Sequence, residues 1–261
     1  MTKPLAVITG ASSGIGKAFA RRLAPSHDLL LIARREDKLT ALANELTARS
    51  GSVIKVLAAD LTDEPQLNVV AERIAAEPEL ALLINNAGFG IRRTFWETDL
   101  EILENMHRLH VMAVIKLSHA ALRVLVAKNR GALINVASVA AFAQRAGSAG
   151  YGASKSWLSA LTEGLYLDLK KADSAVAVQA LCPGFTYSEF HDIMGENRLH
   201  LAPAPFWMTA DRVVEESLAA LARGTLFVIP GWRYRWLTAV LTKLPIRLRL
   251  YVESRSLSGR K

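Results

Sequence analysis

The chain has one cysteine, Cys182, among 261 residues, so no disulfide can form within it, and no signal-peptide pattern opens it. Both features point to a reducing, cytoplasmic setting. Uninterrupted apolar runs near the ~18 residues of a membrane span are missing. So are internal repeats, interdomain linkers and long low-complexity tracts. With 51% of its residues hydrophobic, the chain is expected to fold as one globular domain. Acid is scarce at one end only. From Trp232 to Lys261 eight basic residues stand against Glu253, so this segment carries +7 of the net +8 and residues 1–231 carry +1. A nearly neutral body argues against nucleic-acid binding, and no residue is assigned to a metal.

What is present is a regular alternation. Leu5–Thr9, Leu29–Ala33, Val53–Ala58, Leu80–Asn85, Ala132–Val136, Val176–Cys182 and Leu226–Pro230 are short apolar runs, as parallel strands covered on both faces should be. Between them, helix-period stretches occupy about 14–24, 36–49, 63–76, 99–128, 152–171 and 209–222. Thr62 and Pro65 suit a helix start, and Pro25 suits an end. Seven strands joined through helices predict an α/β fold, a single doubly wound Rossmann-type domain with a mostly parallel seven-stranded sheet. Residues 1–231 form this domain, and 232–261 form a basic amphipathic extension.

Two glycine-rich signals and one Tyr-Lys pair carry the chemistry. Thr9-Gly10-Ala11-Ser12-Ser13-Gly14-Ile15-Gly16 follows the first strand and opens the first helix. Its glycines permit a tight turn and close approach to a pyrophosphate, while the helix N-terminus offers free N–H groups to the phosphates. Gly10, Ser12, Ser13, Gly14, Ile15 and Gly16 are therefore cofactor-binding candidates. The second strand ends in Ala33-Arg34-Arg35, with no acid to hold a ribose 2′-hydroxyl. A guanidinium there favours a 2′-phosphate, hence NADP(H) over NAD(H). The bland alternative, a solvated loop residue, suits Arg35 better than Arg34. Asp60-Leu61 either meets the adenine edge or is a plain loop with Asp60 as a cap. Tyr151-Gly-Ala-Ser-Lys155 places a phenol and an ammonium on one helical face, where the cation is expected to bring the phenol towards neutrality as a general acid or base.

With Asn85-Asn86-Ala87-Gly88 after the fourth strand, Ser138 thirteen residues before Tyr151, and Pro183-Gly184 after the sixth, residues 5–231 resemble the short-chain dehydrogenase/reductase family. The resemblance implies that Tyr151 is the acid/base in hydride transfer, that Lys155 tunes it and holds the nicotinamide ribose, and that Ser138 binds the substrate oxygen. Read alone, Ser138 is as readily a capping serine. Asn85, Asn86, Ala87 and Gly88 would support the cofactor and sheet, and Pro183, Gly184 and Thr186 would approach the nicotinamide. Where the family has an asparagine on the long helix, this chain has His110. Either it keeps that residue's backbone role and adds a titratable group to a proton relay, or it is a packed helix histidine. The long helices imply a homodimer or homotetramer, as in relatives.

Residues 185–208 are rich in aromatic and aliphatic side chains, among them Phe185, Phe190, Ile193, Met194, Leu199, Leu201, Phe206, Trp207 and Met208. They either enclose an apolar carbonyl or alcohol substrate or simply pack this lobe. In the tail, Trp232, Trp236, Val240 and Leu244 share one helical stripe. The tail then either lies on an anionic membrane, as a peripheral contact, or docks on protein. Together these features point to an NADP(H)-dependent carbonyl reductase. The alternatives are a noncatalytic NADP(H)-binding sensor or scaffold, free to lose Ser138, Tyr151 or Lys155, and a nucleotide-sugar enzyme, which needs a larger C-terminal domain.

Overall fold

Apolar strands buried on both faces set the architecture. In the computed structural model, which describes residues 3–189 and 202–255, every residue of β1 (Leu5–Thr9) and β5 (Ala132–Val136) is buried. They join β2 (Asp28–Ala33), β3 (Ile54–Ala58), β4 (Leu80–Asn85), β6 (Ala177–Leu181) and the short β9 (Phe227–Val228) in one sheet. Its order is β3-β2-β1-β4-β5-β6-β9 and every pairing is parallel. Alternation along the strands sends side chains to two cores. Ala6, Ile8, Leu29 and Leu31 face α1 (Gly14–Leu23), α2 (Glu36–Ser50) and α7 (Ala210–Leu221). Leu5, Val7, Leu30 and Ile32 face α3 (Glu64–Ala75), α5 (Ala113–Ala127) and α6 (Ala149–Lys171).

The chain leaves β1 in one direction for β2 and β3, and later returns on its other side through β4, β5 and β6. The crevice at the carboxyl ends of β1 and β4 is the topological switch point, where ligands bind in sheets of this kind. One 28-residue helical run, Leu100–Ala127, is apolar and long enough to span a membrane by length and composition, with a window of mean hydropathy 1.6. Here Ala113, Leu117, Ala121 and Leu125 pack into the core beneath the sheet. The run comprises α4 (Leu100–His107), one π-helical turn at Arg108–Met112, and α5.

The sequence shows neither the two-residue strands β7 (Thr186–Tyr187) and β8 (Met208–Thr209), which pair in parallel, nor how the basic end begins. That end forms α8 (Trp232–Lys243) and α9 (Ile246–Arg255). Tyr234 and Thr238 are buried and Tyr234 belongs to the core, so α8 docks on the body directly after residue 231. Of the apolar segment, Phe190, Ile193, Met194, Leu199 and Leu201 lie outside the described residues.

Candidate active site

A cavity of about 950 Å³ opens at the switch point. Its cofactor end is built from backbone. Thr9 ties the turn after β1 to the loop after β4: its Oγ1 accepts from the N–H groups of Asn86 and Ala87 at 2.9 and 3.0 Å. Asn86 Nδ2 donates back to the Thr9 carbonyl at 2.9 Å. This clasp leaves no room for a side chain at Gly10, where a Cβ would sit 2.8 Å from Asn86 Nδ2 and 2.9 Å from Ala87 Cα. Gly10 also has φ +65°, a conformation that disfavours other residues. Gly16 lies behind the cavity wall, its Cβ position blocked by the Gly10 carbonyl and Asn86. Ser13 precedes α1 in extended conformation without a side-chain cap, so the first-turn N–H groups have no cap to satisfy them. Uncapped amides, a cradle that a Cβ would fill, and the lining by Gly10, Ser12, Ser13, Gly14 and Ile15 suit a dinucleotide pyrophosphate.

Arg34, Asp60, Leu61, Asn86, Ala87 and Gly88 continue the wall. Arg34 is largely exposed and stands 3.9 Å from the Asp60 carboxylate. Asp60 Oδ1 accepts from the N–H and hydroxyl of Thr62 at 2.9 and 2.7 Å, so this oxygen closes the turn. Arg35 is the more fixed arginine, contrary to its reading as the solvated one. It donates to Ser12 Oγ at 3.0 Å over the glycine turn and pairs with Glu189 at 2.7 Å.

Ser138, Tyr151 and Lys155 meet where the cavity passes from polar to apolar walls. Ser138 follows β5, and its Oγ accepts from the Ala140 N–H at 3.1 Å, leaving its proton to donate. The hydroxyls of Ser138 and Tyr151 are hydrogen-bonded. Lys155, one helical turn beyond Tyr151, donates to the Val136 carbonyl at 2.9 Å, and its Nζ lies 5.8 Å from the centre of the Tyr151 ring. Burial pushes the Tyr151 phenol up to about 12, only partly offset by the Ser138 hydrogen bond. Burial also pulls the Lys155 ammonium down to about 8. The expectation of a phenol drawn towards neutrality by Lys155 is therefore not met by the protein groups alone, because desolvation outweighs an ammonium at this distance. Tyr151 is held as a neutral acid. Behind them Cys182 is fully buried, and burial raises its thiol to about 12, so it stays neutral.

A buried polar net supports this floor. Asn85 Nδ2 donates to Ser118 Oγ and Asn135 Oδ1, each at 2.9 Å, and Asn135 donates to Thr162 at 2.9 Å, locking β4, β5, α5 and α6 together. His110 is not in the cavity. It sits in the π-turn, 1% exposed, with Nε2 accepting from the Phe89 N–H at 3.2 Å and Nδ1 2.9 Å from Ser154 Oγ. Because Nε2 accepts, the proton is on Nδ1 and is donated to Ser154, whose hydroxyl donates to the Tyr151 carbonyl at 2.8 Å. Burial first, then Lys155 and His107, hold the imidazole well below its ordinary value of 6.5. The titrating relay proposed for His110 thus has no free nitrogen and ends on a backbone carbonyl. Its side chain is a bracket between the loop after β4 and the helix of Tyr151.

Pro183, Gly184 and Thr186 border the far end, together with Phe185, Phe206, Leu237 and Leu241. The sequence alone does not single out Tyr234. Its ring occupies the space a Gly184 side chain would need, and its hydroxyl accepts from Phe185 N–H at 2.9 Å and donates to the Phe206 carbonyl at 2.7 Å. The one signal that could have found it is its place on the face of α8 opposite the tryptophans.

A profile of the short chain dehydrogenase family matches residues 4–198. The chain belongs to this family. Sulfoacetaldehyde reductase 2 of Chromohalobacter salexigens is 35% identical over 190 residues, 71% of this chain and 74% of that protein. A short-chain dehydrogenase from Sphingobium yanoikuyae, solved in complex with NADPH, superposes with a TM-score of 0.83 at 33% identity, over 93% of this chain and 97% of that one. The bulky-bulky ketone specific alcohol dehydrogenase of Comamonas testosteroni gives 0.79 at 28% identity, over 100% and 96%. As a short-chain dehydrogenase, the chain is an oxidoreductase that acts on alcohol or carbonyl groups with a nicotinamide cofactor.

Proposed function

We propose that the protein is an NADP(H)-dependent reductase of apolar ketones or aldehydes. The observation that carries this reading is one cavity with two unlike ends meeting at Ser138, Tyr151 and Lys155. Arg34 and Arg35, in place of an acid, directly follow the last residue of β2 at the adenosine end, which supports NADP(H). The other end is walled by Val139, Ala140, Phe185, Phe206, Leu237 and Leu241, which supports an apolar substrate. The nicotinamide supplies the hydride that reduces the carbonyl carbon. Ser138 and Tyr151 donate hydrogen bonds to the carbonyl oxygen, and Tyr151 delivers its proton as negative charge develops there. Lys155 keeps one N–H on the Val136 carbonyl, which fixes the ammonium and leaves two donors for a ribose and the phenolate left behind. Exposed Ile102, Met112, Ile115 and Leu167 on α4, α5 and α6 and the intervening turn support self-association through these helices into a dimer or tetramer.

The test is oxidation of NADPH and NADH across carbonyls from short polar ketones to bulky and long-chain ones, with Tyr151→Phe as control. Turnover with NADPH that rises with apolar bulk is expected. Preference for NADH, for small polar carbonyls, or equal turnover by Tyr151→Phe would overturn the corresponding part.

A further inference from the structure

Helix α8 has two faces with different tasks. Tyr234 and Thr238 point into the protein, and Leu237, Thr238 and Leu241 line the cavity. Trp232, Trp236 and Val240, spaced four apart, form a stripe on the other side, with Trp232 60% and Trp236 66% exposed. The helix is thus fixed to the body while its largest apolar side chains are bare. Arg233 and Arg235 flank the stripe, and the Arg233 guanidinium lies 4.7 Å from the centre of the Trp232 ring. In α9, Ile246, Leu248, Leu250 and Tyr251 are also exposed, interleaved with Arg247 and Arg249.

We propose that this face rests on an anionic lipid surface and that the cavity takes its apolar carbonyl substrate from that surface. The second clause rests on the apolar-substrate reading above; the first does not. Charge decides between possible occupants. Residues 232–261 carry +7 while the rest of the chain carries +1, so a second copy meeting this face through the same face would set like charge against like. On the body, Glu216 already holds Arg235 at 3.1 Å, and the net +1 of residues 1–231 leaves no excess of acid for a partner face. Anionic headgroups supply that negative charge, at about 1 kcal/mol for each basic residue near the surface. Tryptophan and arginine side by side suit the boundary between headgroups and acyl chains, where the indole is buried and the guanidinium stays among phosphates. Leu237 is both partly exposed and part of the cavity lining, which places an apolar rim of the cavity on the membrane-facing helix.

The experiment is co-sedimentation of the full chain with phosphatidylcholine vesicles containing or lacking phosphatidylserine. Binding to the anionic vesicles at low salt is expected, with release by salt and at least tenfold weaker binding by Trp232→Ala/Trp236→Ala or by Arg233→Glu/Arg247→Glu. These variants should keep full turnover of a short, water-soluble ketone. A full chain left in the supernatant at low salt overturns the proposal, as does equal binding by the tryptophan variant. A tryptophan variant that loses self-association, with no vesicle binding by the parent, assigns the face to protein and also overturns it. For delivery, a long-chain ketone dissolved in anionic vesicles should show a lower apparent KM with the parent than with the tryptophan variant. Equal values overturn the second clause. Vesicle binding needs no turnover, so it succeeds or fails independently of the substrate reading.

Discussion

The two ends of the cavity are made from different materials. The cofactor end is mostly backbone: the turn after β1, the uncapped start of α1 and the loop after β4, held by Thr9 and Asn86 within hydrogen-bond distance of one another. The end proposed for the substrate is mostly side chain, contributed by Phe185 and Phe206 near β7 and β8 and by the inner face of α8. Backbone amides recognise phosphates whatever the neighbouring side chains are, so the first end is rigid and generic. The second is set by which large side chains the C-terminal third happens to bring, so selectivity belongs there. Ser138, Tyr151 and Lys155 lie at the border, and changes should divide according to which end they touch.

Tyr151→Phe should stop the chemistry at the border and leave both ends able to bind. With the proton donor gone, kcat for ketone reduction should fall by roughly 10²–10⁴-fold, while NADPH binding followed by nucleotide fluorescence stays within twofold of the parent. A variant that retains turnover would put the acid elsewhere. Arg34→Asp should act on the cofactor end alone. Losing a charge-assisted contact of ~1.5–3 kcal/mol lowers kcat/KM for NADPH by roughly 10–100-fold and leaves the KM for ketone unchanged. If Arg35→Asp has the larger effect, the guanidinium that bonds Ser12 is the main phosphate ligand.

The same asymmetry governs how much of the molecule is legible in its sequence. Strand periodicity, the glycine turn and the order of Ser138, Tyr151 and Lys155 are local patterns, so the sheet, the crevice at its switch point and the meeting of these three side chains in the crevice wall are visible in the chain. Tyr234 is not. It acts 50 residues from Gly184, and its partners, the Phe185 N–H and the Phe206 carbonyl, are backbone groups that leave no mark on composition. Nor does residue type tell Arg34 from Arg35, because that difference arises from contacts with Ser12 and Glu189 in other elements. The phenol's elevation likewise follows from burial, which the i, i+4 spacing of Tyr151 and Lys155 does not convey.

That elevation gives a pH test. In the free enzyme Tyr151, at about 12, stays protonated throughout the usual range, whereas Lys155, at about 8, does not. Deprotonation as pH rises would remove the cation proposed to hold the ribose and face the phenolate. The reductive kcat/KM should therefore be level from neutrality up to about 8 and fall about tenfold per pH unit above it. A profile level to pH 10 would show that the ammonium is not what limits the free enzyme.

The smallest effect is expected at His110, and it separates positioning from proton transfer. A relay histidine would move the pH profile when replaced. A bracket with Nδ1 on Ser154 and Nε2 on the Phe89 N–H would not. Asparagine is too short to reach both, so His110→Asn should leave a buried donor or acceptor unpaired at a cost of about 1–3 kcal/mol, seen as a lower Tm. Its kcat should fall only a few-fold, with the alkaline limb still near pH 8. His110→Gln, with a longer amide, should recover part of both losses. The pH dependence of stability adds a further readout. Because burial holds the folded imidazole below 6.5, its contribution is fully present above 6.5 and is lost as pH falls below that value towards the folded one. The parent should thus lose stability in acid more steeply than His110→Asn, by urea unfolding at pH 5 and 7. If instead the variant shifts the alkaline limb and shares the parent's acid sensitivity, His110 titrates in the reaction and the bracket is the wrong description.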